Sequence, residues 1–104
     1  MIAAPPFAAY STMTEAVVRS AEWPYVYASL QAFKAHVQEY PGCQRLEVFV
    51  FVEDDVGIRV HCYSTWDTLD QLEAFLERGY TFERMLADTA DGAVERSLVM
   101  EKLF

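Results

Sequence analysis

Tyr40-Pro41-Gly42-Cys43-Gln44-Arg45-Leu46-Glu47-Val48-Phe49 marks a change of period in the chain. Before it, Val26, Leu30, Phe33 and Val37 recur at helical spacing. After it, the residues alternate as in a strand. Pro41 cannot continue a helix, and Gly42 can take the positive φ that closes one. Leu46, Val48, Val50 and Val52 then fall on one face of the strand, and Phe49 and Phe51 on the other. A surface strand needs only one apolar face. Two apolar faces in a chain of 104 residues imply that something outside the chain covers one of them. A homodimer packed through the sheet face is therefore expected.

Working outward, residues 1–9 read as an N-terminal arm and residues 10–104 as one domain. Tyr10 to Ser20 is rich in Thr and Val and reads as a first strand. Pro24 fits the first turn of the helix that follows. The strand after the Pro-Gly junction runs from about Gln44 to Val52. Glu53-Asp54-Asp55 reads as a hairpin turn. A third strand spans Val56 to about Trp66, with Val56, Ile58, Val60 and Cys62 alternating against Arg59, His61, Tyr63 and Thr65.

Thr68-Leu69-Asp70-Gln71 has the form of a capping box. Leu69, Leu72, Phe75 and Leu76 form the stripe of a second helix, which Arg78 and Gly79 suit as an end. Tyr80 to Ala87 reads as a short helical continuation, Ala90-Asp91-Gly92 as a turn, and Val94 to Phe104 as a last strand. The order is β-α-β-β-α-β. This predicts an α+β, ferredoxin-like split βαβ domain with helices on one face of an antiparallel sheet.

Composition narrows the function classes. Hydrophobic residues make up 53% and charged residues 23% of the chain, which is globular rather than disordered. The net charge of −8 argues against nucleic acid or an anionic membrane surface as partner, since both need a basic patch. No apolar run approaches the roughly 20 residues of a membrane span. The start lacks the basic region of a signal peptide, so a cytoplasmic location is the expectation. Cys43 and Cys62 stand alone and read as small buried hydrophobes. No phosphate loop, metal cluster or nucleophile elbow is present, so neither metal nor cofactor is expected.

Two segments carry a family resemblance. Tyr40-Pro41-Gly42-Cys43 followed by Leu46-Glu47-Val48-Phe49 resembles one signature of the antibiotic biosynthesis monooxygenase (ABM) domain family. Ser64-Thr65-Trp66-Asp67-Thr68-Leu69-Asp70-Gln71-Leu72-Glu73-Ala74-Phe75-Leu76 resembles the second, where a strand ends in Trp, an acidic residue follows and an amphipathic helix starts. Tyr80-Thr81-Phe82 matches the aromatic of the segment after it. The resemblance covers roughly residues 12–104. It implies a dimeric α+β barrel with a pocket between each sheet and its own helices. Activities in the family include cofactor-free oxygenation of quinols or other electron-rich aromatics by O2, haem degradation, and action on signalling molecules.

The haem-degrading pattern needs an Asn on the first strand, a Trp on the second helix and a following His. This chain contains no Asn, and Phe75 and Met85 stand about where the Trp and His belong. The first reading that the resemblance implies is a cofactor-free monooxygenase acting on a quinol or other electron-rich aromatic, although such enzymes often place an Asn in the pocket too. A non-catalytic small-molecule-binding or regulatory dimer of the same fold is the alternative.

The resemblance puts Trp66 at the pocket, where it helps position an aromatic. His61 and Tyr63 point the same way along one strand, in a polar row with Arg59 and Thr65. If that face looks into the pocket, His61 could take a phenolic proton. Otherwise the row belongs to the dimer interface or to solvent. Phe33, Phe75, Phe82 and Met85 are the candidate lining, and Arg84 a candidate oxyanion partner. Glu47 and His36 read as structural and surface residues.

Overall fold

The computed structural model describes residues 9–52, 54–55, 57–90 and 93–104. The elements are β1 (Ala9–Arg19), α1 (Trp23–Gln38), β2 (Cys43–Val52), β3 (Gly57–Trp66), α2 (Leu69–Arg78), α3 (Phe82–Thr89) and β4 (Ala93–Lys102). A single turn of 3-10 helix, Ser20–Glu22, joins β1 to α1 and was not signalled by the sequence pattern. The strands form one antiparallel sheet in the order β2-β3-β1-β4. This is the ferredoxin-like arrangement expected from the element order. The expected arm falls almost wholly outside the described residues, as do Glu53, Val56, Asp91 and Gly92 of the two expected turns and the third strand's start.

Each helix is held by the features that its sequence carries. Pro24 sits in the first turn of α1, and Val26, Leu30, Phe33 and Val37 are its buried stripe. The Thr68 hydroxyl oxygen accepts from the Gln71 backbone N–H at 3.2 Å, capping α2. The Gln71 side chain accepts from the same hydroxyl at 3.0 Å, rather than reaching back to the cap's own N–H. Thr81 caps α3 in the same way through Arg84 N–H, 3.3 Å away.

The Pro-Gly junction does more than stop α1. Gly42 has φ +88°, a left-handed conformation that disfavours any side chain. Its carbonyl accepts from Asp67 N–H at 2.8 Å, and Gln44 Nε2 donates to Asp67 Oδ1 at 2.7 Å. The end of α1 is therefore tied directly to the start of α2.

Parity fixes the two faces of the sheet. Ala16, Val18, Leu46, Ile58, Val60, Cys62 and Trp66 point toward the helices and form the core with the α1, α2 and α3 stripes. Glu15, Phe49, Phe51, His61 and Tyr63 point the other way, onto a face that none of the described helices covers. Phe49 and Phe51 are 56% and 60% exposed there. Val50 and Val52 are also exposed, although they share the alternation of Leu46, because β2 is an edge strand that outruns its helical cover.

Candidate functional site

The helix-facing side of the sheet divides into two halves. Ala16, Val18, Ile58 and Val60 fill one half with apolar side chains. In the other, Thr12, Thr14, Cys62, Ser64 and Ser97 carry hydroxyls or a thiol, around a cavity of ≈ 50 Å³. Leu46, Phe33, Phe75, Leu76 and Phe82 supply its apolar wall, and Thr81 and Glu83 reach it from the start of α3. Ser97 and Glu83 are exposed, so the cavity opens between α3 and the edge strand β4.

The hydroxyls form two short chains. Trp66 Nε1 donates to Ser64 Oγ at 2.9 Å, and Ser64 Oγ lies 2.5 Å from Thr12 Oγ1. Ser97 Oγ donates to Glu83 Oε1 at 3.3 Å and lies 3.5 Å from Thr14 Oγ1. The first chain is buried at its Trp66–Ser64 end and half-buried at Thr12, and the second runs from a buried threonine to the mouth. Burial raises the Cys62 thiol to about 12, so it stays protonated and acts as a wall atom.

Trp66 is fully buried and stacks on Phe75 with ring centroids 4.9 Å apart and planes inclined at 28°. Its N–H is already engaged by Ser64. The ring forms no part of the cavity lining and stands behind Phe75, one side chain away from the space. Phe33 and Phe82 meet edge to face at 6.0 Å on the lining itself.

The remaining candidates lie elsewhere. His61 and Tyr63 are on the sheet face opposite Trp66, because odd and even positions of one strand diverge. His61 Nε2 is 3.1 Å from Glu15 Oε2, and Arg59 Nη1 bridges Glu15 at 3.2 Å and Glu95 at 2.5 Å. Tyr63 meets Phe49 edge to face at 5.8 Å. The polar row is thus a cross-strand ionic cluster set in an apolar face, and the condition that it look into the sheet–helix pocket is not met. Arg84 turns back to donate to the Gly79 carbonyl at 2.7 Å and is not part of the cavity lining. Met85 is buried and lines a separate hollow between α1 and α3, beside His36 and Tyr80.

Sequence reasoning missed Thr12, Thr14, Ser64, Ser97 and Glu83. A signal was available: Thr12 and Thr14 occupy core-facing positions of β1 where apolar residues would pack better. A wider, open hollow of ≈ 470 Å³ runs between α1 and β2, and its lining includes none of the predicted site residues. Among the described residues no group of His, Cys, Asp and Glu is placed to hold a metal ion, and no helix is long and apolar enough to cross a membrane.

The fold is that of a set of solved structures. One, provisionally described as an antibiotic biosynthesis monooxygenase from Nitrosomonas europaea, aligns with TM-score 0.76 over 96% of this chain and 95% of its own at 17% identity. A variant of SnoaB, a cofactor-independent oxygenase from Streptomyces nogalater, aligns with TM-score 0.65 over 89% of this chain and 91% of its own at 12% identity. A dimeric ferredoxin-like protein from an uncultured marine organism aligns with TM-score 0.63 over 92% and 97% at 10% identity. No protein-family model and no curated protein matches the sequence. At these identities the likeness carries the fold, and chemistry has to be argued from the site.

Proposed function

We propose that the chain is a homodimeric, cofactor-independent monooxygenase acting on a quinol or another electron-rich aromatic. One atom of O2 enters the substrate and the other leaves as water, with the substrate supplying the electrons. The observation that carries the reading is the polar half of the core. Buried hydroxyls are costly in a core unless they are satisfied. Here they cluster around a cavity with aromatic walls, under a short helix, in a fold shared with a cofactor-independent oxygenase.

In this reading Phe33, Phe75 and Phe82 take the flat faces of the substrate, and Trp66 backs Phe75. Thr12, Thr14, Ser64 and Ser97 orient its oxygens. His61 and Tyr63 act at the interface between two sheets, where the apolar face with Phe49 and Phe51 meets a second copy. Met85 supports α3 from behind, and Arg84 caps the end of α2.

The second reading is the binding or regulatory dimer. It is favoured by His61 and Tyr63 lying on the opposite sheet face, away from the cavity. At ≈ 50 Å³ the cavity holds one or two waters at about 30 Å³ each and no aromatic ring, so either reading requires α3 to yield when a ligand enters. Oxygen consumption with a panel of hydroquinones decides between the two readings. Uptake above the protein-free rate, reduced in Trp66→Phe and Phe75→Ala, supports the monooxygenase. A protein-free rate with every substrate leaves the binding dimer.

A further inference from the structure

We infer that Glu83 is the specificity residue of this cavity: its carboxylate accepts the hydrogen of a neutral ring hydroxyl and turns away ligands that are themselves anions. The inference rests on the cavity being the ligand site, and it names the chemical class that enters.

Three elements meet at the mouth. Thr14 comes from β1, Ser97 from β4 and Glu83 from α3. Glu83 Oε1 accepts from Ser97 at 3.3 Å, a long contact for a hydroxyl and a carboxylate, whose charge-assisted bonds run to about 2.5–2.7 Å. A carboxylate has roughly four acceptor sites, and this weak bond uses one. Among the described residues no lysine or arginine pairs with Glu83. The adjacent Arg84, the nearest cation in sequence, is turned to Gly79.

Glu83 is therefore an exposed, hydrated acceptor at the entrance to a space walled by hydroxyls and aromatic rings, with one long bond to the protein. Once α3 has yielded to admit the ring, a phenolic O–H entering between α3 and β4 can replace Ser97 and water as its donors through one short charge-assisted bond. The freed Ser97 remains within reach of Thr14. A carboxylate or phosphate entering the same way meets a like charge and, among the described residues of the lining, finds no lysine or arginine. An ether of the same ring offers no hydrogen.

The test is anaerobic titration calorimetry with phenol, hydroquinone, anisole and benzoate as probes. Phenol and hydroquinone should bind saturably, anisole about tenfold more weakly, the worth of one charge-assisted hydrogen bond, and benzoate not at all. Glu83→Leu, which removes the acceptor, should weaken phenol by about tenfold and bring it level with anisole, and Glu83→Gln, whose amide oxygen still accepts but without the charge, should weaken it by less. Equal binding of phenol and anisole, undiminished phenol binding by Glu83→Leu, or no saturable binding of any probe would overturn the inference. Glu83-dependent phenol binding without oxygen uptake sustains it and overturns the oxygenase reading. Oxygen uptake unaffected by Glu83→Leu does the reverse.

Discussion

Gly42 lies against Gln71 so closely that a Cβ on the glycine would stand 2.0 Å from the Gln71 amide oxygen. The two residues belong to separate sequence segments, one ending α1 and the other capping α2. Their contact explains why both segments are needed: the turn after α1 is the surface on which α2 begins. The Gly42–Asp67 backbone bond and the Gln44–Asp67 side-chain bond complete the joint. It lies beside Trp66, so it also fixes the strand end behind the cavity.

Replacement of Gly42 by Ala should destabilise the domain. The left-handed backbone alone costs a non-glycine residue about 1–2 kcal/mol. In a domain of this size each kcal/mol lowers Tm by about 4–8 °C. Adding Gln71→Ala separates the two causes. It should recover only the part due to the side-chain clash, leaving the backbone part in the thermal melt. A Gly42→Ala protein with unchanged Tm would remove the structural role argued for the junction.

The junction was legible because Pro and Gly act locally, through a ring that fixes φ and a missing Cβ. Element order and the three helical stripes followed from periodicity for the same reason. The site was less legible. His61, Tyr63 and Trp66 are close in sequence and suggest one cluster, yet strand alternation sends Trp66 to the other face. Glu83 and Ser97 are 14 residues apart on different elements, and only the pairing of β4 with β1 brings them together. Thr14 was visible as a threonine in a core position, but its meaning depends on that same pairing.

The exposed face of β2 and β3 makes a second prediction. Phe49 and Phe51 flank the cluster formed by Glu15, Arg59 and His61. An interface of ordinary size buries about 800 Å² on each partner, and its energy concentrates in central aromatic anchors. The wild-type chain should sediment as a dimer at micromolar concentration. Phe49→Asp with Phe51→Asp should sediment as a monomer that keeps its far-ultraviolet dichroism. A wild-type monomer, or a dimer indifferent to the double change, would rule out the sheet face as the interface.

Cys62 makes a prediction about alkaline stability. Burial raises its pKa from 9.0 to about 12 in the folded chain. The folded state therefore keeps a proton that the unfolded state loses from about pH 9 upward. Stability from this group is fully present below pH 9 and falls as pH rises toward 12, by about 1.4 kcal/mol for each pH unit in that window. In Cys62→Ala the whole curve should be lower, for the lost packing, but flatter between pH 9 and 12. Denaturant midpoints measured across that window for both proteins give the comparison, and parallel curves would show that the thiol does not titrate on unfolding.

Trp66 and Ser64 make the most local prediction. The indole N–H donates to Ser64 Oγ at 2.9 Å with both groups buried, and the same oxygen lies 2.5 Å from Thr12 Oγ1. Ser64→Ala removes the shared partner and leaves two polar groups in the core. A buried group left without its hydrogen bond costs about 1–3 kcal/mol. Trp66→Phe removes the donor instead, keeps an aromatic face on Phe75, and leaves Ser64 paired with Thr12. The double variant should therefore be less unstable than the two single losses added together, with a coupling of about 0.5–3 kcal/mol. Denaturant unfolding followed by dichroism supplies all three values without depending on indole fluorescence. Strict additivity would mean that the Trp66–Ser64 bond contributes nothing to the fold, and that the hydroxyls are held in the core by the threonines alone.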